Sequence, residues 1–170
     1  MAGDIGWLNS LPPDRAEQEL LTCCASRQWA QKVAAARPYP DTASLTAAAV
    51  ATVCELSWSD VEEALAAHPR IGDRAKAELS EREASWSRGE QSGAANADAA
   101  VRAELAAGNR AYEQRFGHVF LIRATGRSAT EILAELRARL TNSTLDERIK
   151  VQSELADITR LRVRKLVGEQ

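Results

Sequence analysis

The chain has 170 residues, 32 of them alanine, with 18 arginines against four lysines and five prolines, all within the first 69 positions. With 45% hydrophobic and 27% charged residues it is too apolar for a disordered chain, and its length predicts a single globular domain over residues 1–170. A net charge of −2 offers no basic surface for wrapping nucleic acid or coating an anionic membrane, and no run approaches the roughly 18 apolar residues of a membrane span.

The first ten residues carry neither a basic segment nor the apolar core of a secretion signal, and three cysteines, two of them adjacent (Cys23, Cys24), suit a reducing compartment. A cytoplasmic protein whose cysteines are small core residues is expected. Residues 5–13 read as an irregular opening, with a helix beginning at Pro13 or Asp14 and carrying Leu20, Leu21, Cys23 and Cys24. Trp29 and Val33 mark a second helical face, which ends before Arg37-Pro38 because a residue preceding proline is pushed out of the α region. From Ser44 onward, Leu45, Ala49, Val53 and Leu56 recur at steps of three and four and predict an amphipathic helix.

Ser59-Asp-Val-Glu62 has the spacing of a capping box for a short helix that buries Val61 and Leu65. A second box, Ser80-Glu-Arg-Glu83, precedes Trp86, and Gly89 and Gly93 predict a turn-rich segment over residues 87–93. A long helix from about Asn96 carries Val101, Leu105, Tyr112 and Phe116 and stops at Gly117, a left-handed cap. Val119-Phe-Leu-Ile122 is too short for a helix and reads as a buried extended or single-turn piece, followed by a loop over residues 123–127. Ser128 and Glu131 box a helix with Ile132, Leu133, Leu136 and Leu140 inward, ending at Asn142. Thr144 and Glu147 box the last helix, with Ile149, Leu155, Ile158, Leu161 and Leu166 inward. No stretch alternates as a strand does, so the fold class is all-α, a single-domain bundle of six to eight helices.

Metal and cofactor signatures are missing. The two histidines, His68 and His118, are fifty residues apart, and there is no H-E-x-x-H, no paired C-x-x-C and no glycine-rich phosphate cradle. Neither a dedicated metal site nor a nucleotide cradle is expected. The densest cluster of useful side chains is His68-Pro69-Arg70-Ile71-Gly72-Asp73, where proline stiffens the chain after a helix end and glycine permits a sharp turn. An imidazole fixed in this way suits proton transfer at a cleft rim. Read alone, the same residues also describe a helix terminator with a surface histidine, and Glu90-Gln91 a solvated turn. Arg123 and Arg127 flank Gly126 after an apolar run, where a guanidinium can hold a carboxylate or an imide-like group, or, for Arg127, fix the loop through a salt bridge. Arg137, Arg139 and Arg148 are expected on solvated or glutamate-paired faces. Arg160, Arg162 and Arg164 alternate along a helix and cannot all face one way.

Taken in order, Asn9 with Leu11, Cys23-Cys24-Ala-Ser26 with Trp29, Arg37-Pro38, His68-Pro69-Arg70-Ile71-Gly72, Ser87-Arg-Gly-Glu90-Gln91, Asn109 with Tyr112, Arg115-Phe116-Gly117, Phe120-Leu121-Ile122-Arg123-Ala124, Gly126-Arg127-Ser128 and Ile158-Thr159-Arg160-Leu161-Arg162 resemble the 2-oxo-4-hydroxy-4-carboxy-5-ureidoimidazoline (OHCU) decarboxylases of urate degradation. The resemblance runs from about residue 5 to residue 167. His-Pro-Arg-Ile-Gly and Arg-Phe-Gly are its most specific elements.

The resemblance implies an all-α, cofactor-independent carboxy-lyase that makes (S)-allantoin and carbon dioxide from OHCU, a small-molecule substrate. It implies His68 as general base on the substrate hydroxyl, held by Pro69 and the turn at Gly72, with Glu90 orienting the substrate or delivering the proton. Ser87 and Gln91 would hydrogen-bond the ureido or ring amides. Backbone groups of Phe120, Leu121, Ile122, Arg123 and Ala124 would meet the hydantoin-like ring, and Arg162 would hold the carboxylate. The family also admits a symmetric homodimer. The ending Val167-Gly-Glu-Gln170 carries no peroxisomal Ser-Lys-Leu address, which fits a bacterial-type cytoplasmic enzyme. Two other classes stay open at this point: a non-catalytic helical interaction module, and a hydrolase of another ureide.

Overall fold

A computed structural model describes residues 3–72, 81–95 and 97–169. Among them are ten helices and no strand: α1 (Ile5–Ser10), α2 (Pro13–Leu21), α3 (Arg27–Ala35), α4 (Thr42–Glu55), α5 (Trp58–Leu65), α6 (Glu81–Glu90), α7 (Ser92–Ala95), α8 (Ala99–Phe116), α9 (Ala129–Arg139) and α10 (Thr144–Leu166). The count exceeds the expected six to eight through the short helices α1 and α7. Residues 5–10 are helical rather than irregular because the Asp4 carboxylate accepts from the Trp7 N–H at 2.7 Å and caps them. The chain falls into two compact units, Met1–Ala64 with Leu155–Gln170, and Leu65–Glu154.

In the first unit α3 packs on α2 and α4. Leu8, Leu20, Trp29, Val33, Leu45, Ala49, Val53 and Val61 are buried, and the Trp29 indole N–H donates to the Ala49 carbonyl at 2.9 Å, so the largest side chain of this core also has its polar atom satisfied. The motif residues Asn9 and Arg37 tie the opening to the chain after α3. Asn9 exchanges two bonds with the Tyr39 backbone, at 2.8 and 2.9 Å. Arg37 donates to the carbonyls of Leu8, Leu11 and Ala34. Cys23 and Cys24 are buried as expected, whereas Cys54 is exposed.

Several caps differ from the expected ones. Asp41 caps α4, which starts at Thr42 rather than at Ser44, and Ser44 supplies the N–H that the Asp41 carboxylate accepts at 2.7 Å. Ser57 caps α5 by accepting from the Asp60 N–H at 3.2 Å; two overlapping serine-to-acid spacings exist there, and the one two residues earlier closes. Ser143 caps α10 through the Asp146 N–H at 3.1 Å, one residue before Thr144. Ser80 and Asn96 lie outside the described residues. The Ser128–Glu131 box forms as expected, and Gly117 closes α8 at φ +81° with its N–H on Glu113.

Ile149, expected inward, is 61% exposed. The buried stripe of α10 runs Glu147, Val151, Glu154, Leu155, Ile158, Arg162, Leu166, and a residue two places past Glu147 points about 200° away from it. Charge misleads in the opposite direction at Arg139. It follows Ile132 and Leu136 at steps of four and three, so it turns inward with them: the expected pairing with a glutamate forms, with Glu147, but on a buried face rather than a polar one.

In the second unit α7 packs on α6 and α9, and α8 on α9. Ile71, Leu105, Tyr112, Phe120, Ile122, Ala124, Ile132, Leu133 and Leu136 form one apolar cluster. The expected turn-rich stretch is instead helical through Glu90, broken at Gln91, and helical again over α7. Gly93 has a packing role: a Cβ there would sit 2.1 Å from the Arg127 carbonyl oxygen, which is backbone and cannot swing aside. Gly89 faces open space. Gly93→Ala is therefore expected to lower the urea midpoint by the equivalent of about 1–3 kcal/mol, while Gly89→Ala raises stability by about 0.5–1 kcal/mol because alanine loses less entropy in a helix. Equal midpoints for the two variants would mean that α7 does not press on the loop before α9.

Candidate active site

His68 follows α5 in a bend closed by its own N–H on the Leu65 carbonyl at 3.0 Å, and Pro69 prevents the helix from continuing. His68 is 7% exposed, so the histidine is buried rather than set on a rim. Pro69 and Ile71 are buried too, and Gly72 takes φ +93°, the left-handed turn that its lack of a side chain permits.

The turn is braced from three directions within the second unit. Arg70 forks onto Glu113 of α8 at 2.6 and 3.1 Å. The buried Asn109 amide, also on α8, donates to the Ile71 carbonyl at 3.1 Å. The Gly72 N–H donates to the Gln91 side-chain oxygen at 2.9 Å. Gln91 thus spends its carbonyl on the turn, a use that spacing alone gave no hint of.

Through Gln91 the His68 turn meets the end of α6. Ser87, Glu90 and Gln91 are three and four residues apart, so they share one face there, and the Gln91 N–H closes on the Ser87 carbonyl at 3.1 Å. Ser87 is buried, and Glu90 and Gln91 are half-buried. A cavity of about 400 Å³ opens beside the turn between Arg70, Ile71, Gly72, Ala94, Leu105 and Asn109; His68 and Glu90 are not among its described lining residues.

Phe120, Leu121, Ile122, Arg123 and Ala124 form a run without helix or turn that joins the apolar cluster of Ile71. Its backbone is partly committed. Leu121 C=O accepts from Arg139 at 2.6 Å, Arg123 N–H donates to Glu154 at 2.9 Å, and Ala124 C=O accepts from the Arg127 N–H at 3.0 Å. No hydrogen bond among the described residues uses the N–H or C=O of Ile122, although its side chain is buried. The buried Nε atoms of Arg123 and Arg127 likewise find no partner among the described residues.

Arg162 belongs to the first unit, buried on α10 while Arg160 is exposed and Arg164 pairs with Glu169 at 3.1 Å, so the three alternate as expected. It lies near Cys24, whose thiol burial pushes up to about 12 despite the lowering effects of the Ser26 backbone, the Thr159 hydroxyl and the Arg162 charge. Such a thiol stays protonated and is no nucleophile at neutral pH. Among the described residues no group of three His, Cys, Asp or Glu side chains is placed to hold a metal.

Comparison with known proteins identifies the family and the fold. The profile of the OHCU decarboxylase family matches residues 9–164. The chain is 32% identical over 155 residues to the uric acid degradation bifunctional protein TTL of Arabidopsis thaliana, covering 91% of this chain and 48% of that protein, so it spans about half the length of that relative. A crystal structure of an OHCU decarboxylase in the presence of (S)-allantoin superposes with a TM-score of 0.75 at 28% identity, over 89% of this chain and 98% of the other. An (S)-allantoin synthase shares the fold, with a TM-score of 0.71 at 18% identity, over 98% of this chain and 54% of the other. A match running almost end to end, through the buried histidine turn and the helix end that braces it, places the chain in the OHCU decarboxylase family.

Proposed function

We propose that the chain decarboxylates OHCU to (S)-allantoin and carbon dioxide, with His68 and Glu90 as its acid–base pair. The observation that carries this reading is the 2.9 Å bond from Gly72 N–H to Gln91, which links the buried His68 turn to the helix end bearing Ser87 and Glu90. One substrate ring carbon bears both a hydroxyl and a carboxylate, and its neighbour belongs to a C=N bond. When the bond to the carboxylate breaks, its electron pair forms a ring C=C bond and the imine nitrogen gains a proton. The hydroxyl proton then passes to His68 as that oxygen becomes a carbonyl, and a proton is added to the carbon bearing the ureido group. The substrate is its own electron sink, so the residues need supply only orientation and proton movement.

In this scheme Glu90 delivers or directs the proton to one face, which sets the S configuration. Ser87 and the amide nitrogen of Gln91 hold ureido or ring amides. The N–H and C=O of Ile122, flanked by Phe120, Leu121, Arg123 and Ala124, meet the ring, and Pro69 limits the motion of His68. Arg162 holds the carboxylate. No metal or organic cofactor enters.

The test is to generate OHCU in place from urate and follow optical rotation. Purified protein is expected to speed the appearance of dextrorotatory (S)-allantoin over the spontaneous racemic decay. A rate and rotation equal to the protein-free control would end the proposal, and release of ammonia or urea would point to a ureide hydrolase instead.

A further inference from the structure

Two carboxylates of one helix hold the run at residues 120–124 from a single side. Glu147 and Glu154 are seven residues apart on α10, two turns and about 10 Å along the axis, and so share a face. Glu154 Oε2 accepts the Arg123 N–H directly at 2.9 Å. Glu147 reaches the run through Arg139, whose Nε donates to Oε1 at 2.6 Å and Oε2 at 3.1 Å while Nη1 donates to the Leu121 carbonyl at 2.6 Å. The same guanidinium lies 4.5 Å from the centre of the Phe120 ring. Arg139 is 2% exposed and Glu147 0%, and Glu154 is buried as well.

Three buried charged groups are a costly way to hold a short irregular run. A dry ion pair is often no more stabilising than apolar side chains of the same volume. What hydrophobic residues cannot supply is direction: a planar fork with donors at fixed angles, and a carboxylate oxygen at a fixed point. The groups gripped are the Leu121 C=O and the Arg123 N–H, on either side of Ile122. The Ile122 N–H and C=O have no partner among the described residues, and a peptide group in a buried residue needs a partner, which a ligand or a water can supply.

We propose that Arg139, Glu147 and Glu154 are positioning residues, a clamp that fixes the rotation of the run 120–124 about its own axis so that the peptide groups of Ile122 face the substrate. The inference rests on the decarboxylase reading only in taking OHCU, or its product, as what those groups meet. None of the three touches substrate. Their effect passes through the backbone of Leu121 and Arg123, and it falls on binding more than on chemistry.

The experiment compares Glu154→Leu, Glu154→Gln and Arg139→Lys with wild type, measuring kcat and KM on OHCU, Kd for (S)-allantoin by calorimetry, and amide exchange at Arg123. Glu154→Leu, which removes the acceptor, is expected to raise KM and Kd about tenfold, the scale of one misaligned hydrogen-bonded contact, with kcat changed less than about threefold. Glu154→Gln keeps an oxygen for the same N–H and is expected to restore both constants to within about threefold of wild type. Arg139→Lys keeps the charge but loses the second arm to Leu121, and is expected to behave like the leucine variant. A folded Glu154→Leu with unchanged KM and Kd overturns the proposal, as does a glutamine variant no better than the leucine one. If the leucine variant does not fold, Arg139→Lys decides on the same criterion. A wild type that turns over no OHCU removes the functional reading alone. The clamp is then judged by exchange, with Arg123 N–H slow in wild type and Glu154→Gln and fast in Arg139→Lys; equal rates in all three overturn it.

Discussion

His68→Ala is expected to lose about a hundredfold or more in kcat while keeping the helical circular dichroism of the wild type, because a positioned proton-transfer group contributes on that scale. The geometry explains why the fold should survive. The turn has braces beyond the imidazole: Arg70 is forked onto Glu113, Asn109 bonds the Ile71 carbonyl and Gln91 bonds the Gly72 N–H. Removing the ring leaves all three braces in place. His68→Asn should be as inactive as the alanine variant, since an amide can hydrogen-bond the substrate hydroxyl but cannot take its proton. Either variant with wild-type kcat takes His68 out of the mechanism and leaves Glu90 as the remaining acid–base candidate.

The second large effect concerns stability. Glu147→Ala strands the buried Arg139 guanidinium and is expected to cost about 3–5 kcal/mol in urea unfolding, a large share of the roughly 5–15 kcal/mol that a domain has. Glu104→Ala breaks an ion pair of the same 2.6 Å length, with Arg137, but both partners are more than half exposed, so it should cost less than about 1 kcal/mol. Burial rather than distance separates the two cases. The double variant Arg139→Met with Glu147→Leu should recover most of the lost stability, since the unmatched charge leaves with its partner. If Glu147→Ala and Glu104→Ala shift the midpoint alike, water reaches the Arg139 pair and the argument from dryness fails. Burial, the Glu147 charge and the Arg139 charge all act on the neighbouring Tyr112 phenol, and the first two outweigh the third, holding it above its usual range and protonated at any pH at which the protein works.

Much of the helical pattern was legible because period and capping chemistry are local. The Ser128–Glu131 box, the glycine stop at residue 117 and the inward faces of α4 and α9 each depend on residues within four positions of one another. The same locality produced the errors. Where two capping spacings overlap, at Ser57 and Ser59, nothing local says which one closes. For Arg139 the pairing with a glutamate is read correctly but its face is taken as polar, because charge is weighed above its place on the Ile132–Leu136 stripe, and Ile149 reads as buried because apolar character is weighed above phase. The site divides in the same way. The His-Pro-Arg-Ile-Gly turn announced itself through proline and glycine, while the partners that brace it, Asn109, Glu113 and the Gln91 oxygen, lie 19 to 43 residues away and form side-chain contacts that no spacing encodes. Of these, Asn109 and Gln91 stand in the family resemblance, the first without a role and the second as a substrate ligand rather than a brace.

The contact between Gly93 and the Arg127 carbonyl bears on how relatives of this chain should be placed in register. Every other amino acid encoded by a single-base change from a glycine codon adds at least a methyl group, and the space for that methyl is already taken by backbone. Drift is therefore freer at Gly89, which faces open space, than at Gly93. A length difference that upset the spacing between Gln91 and Gly93 would move either the brace on Gly72 or the seat under Arg127. Counting back from that seat, rather than forward from the histidine turn, assigns the serine and the glutamate of α6 their counterparts in a distant sequence.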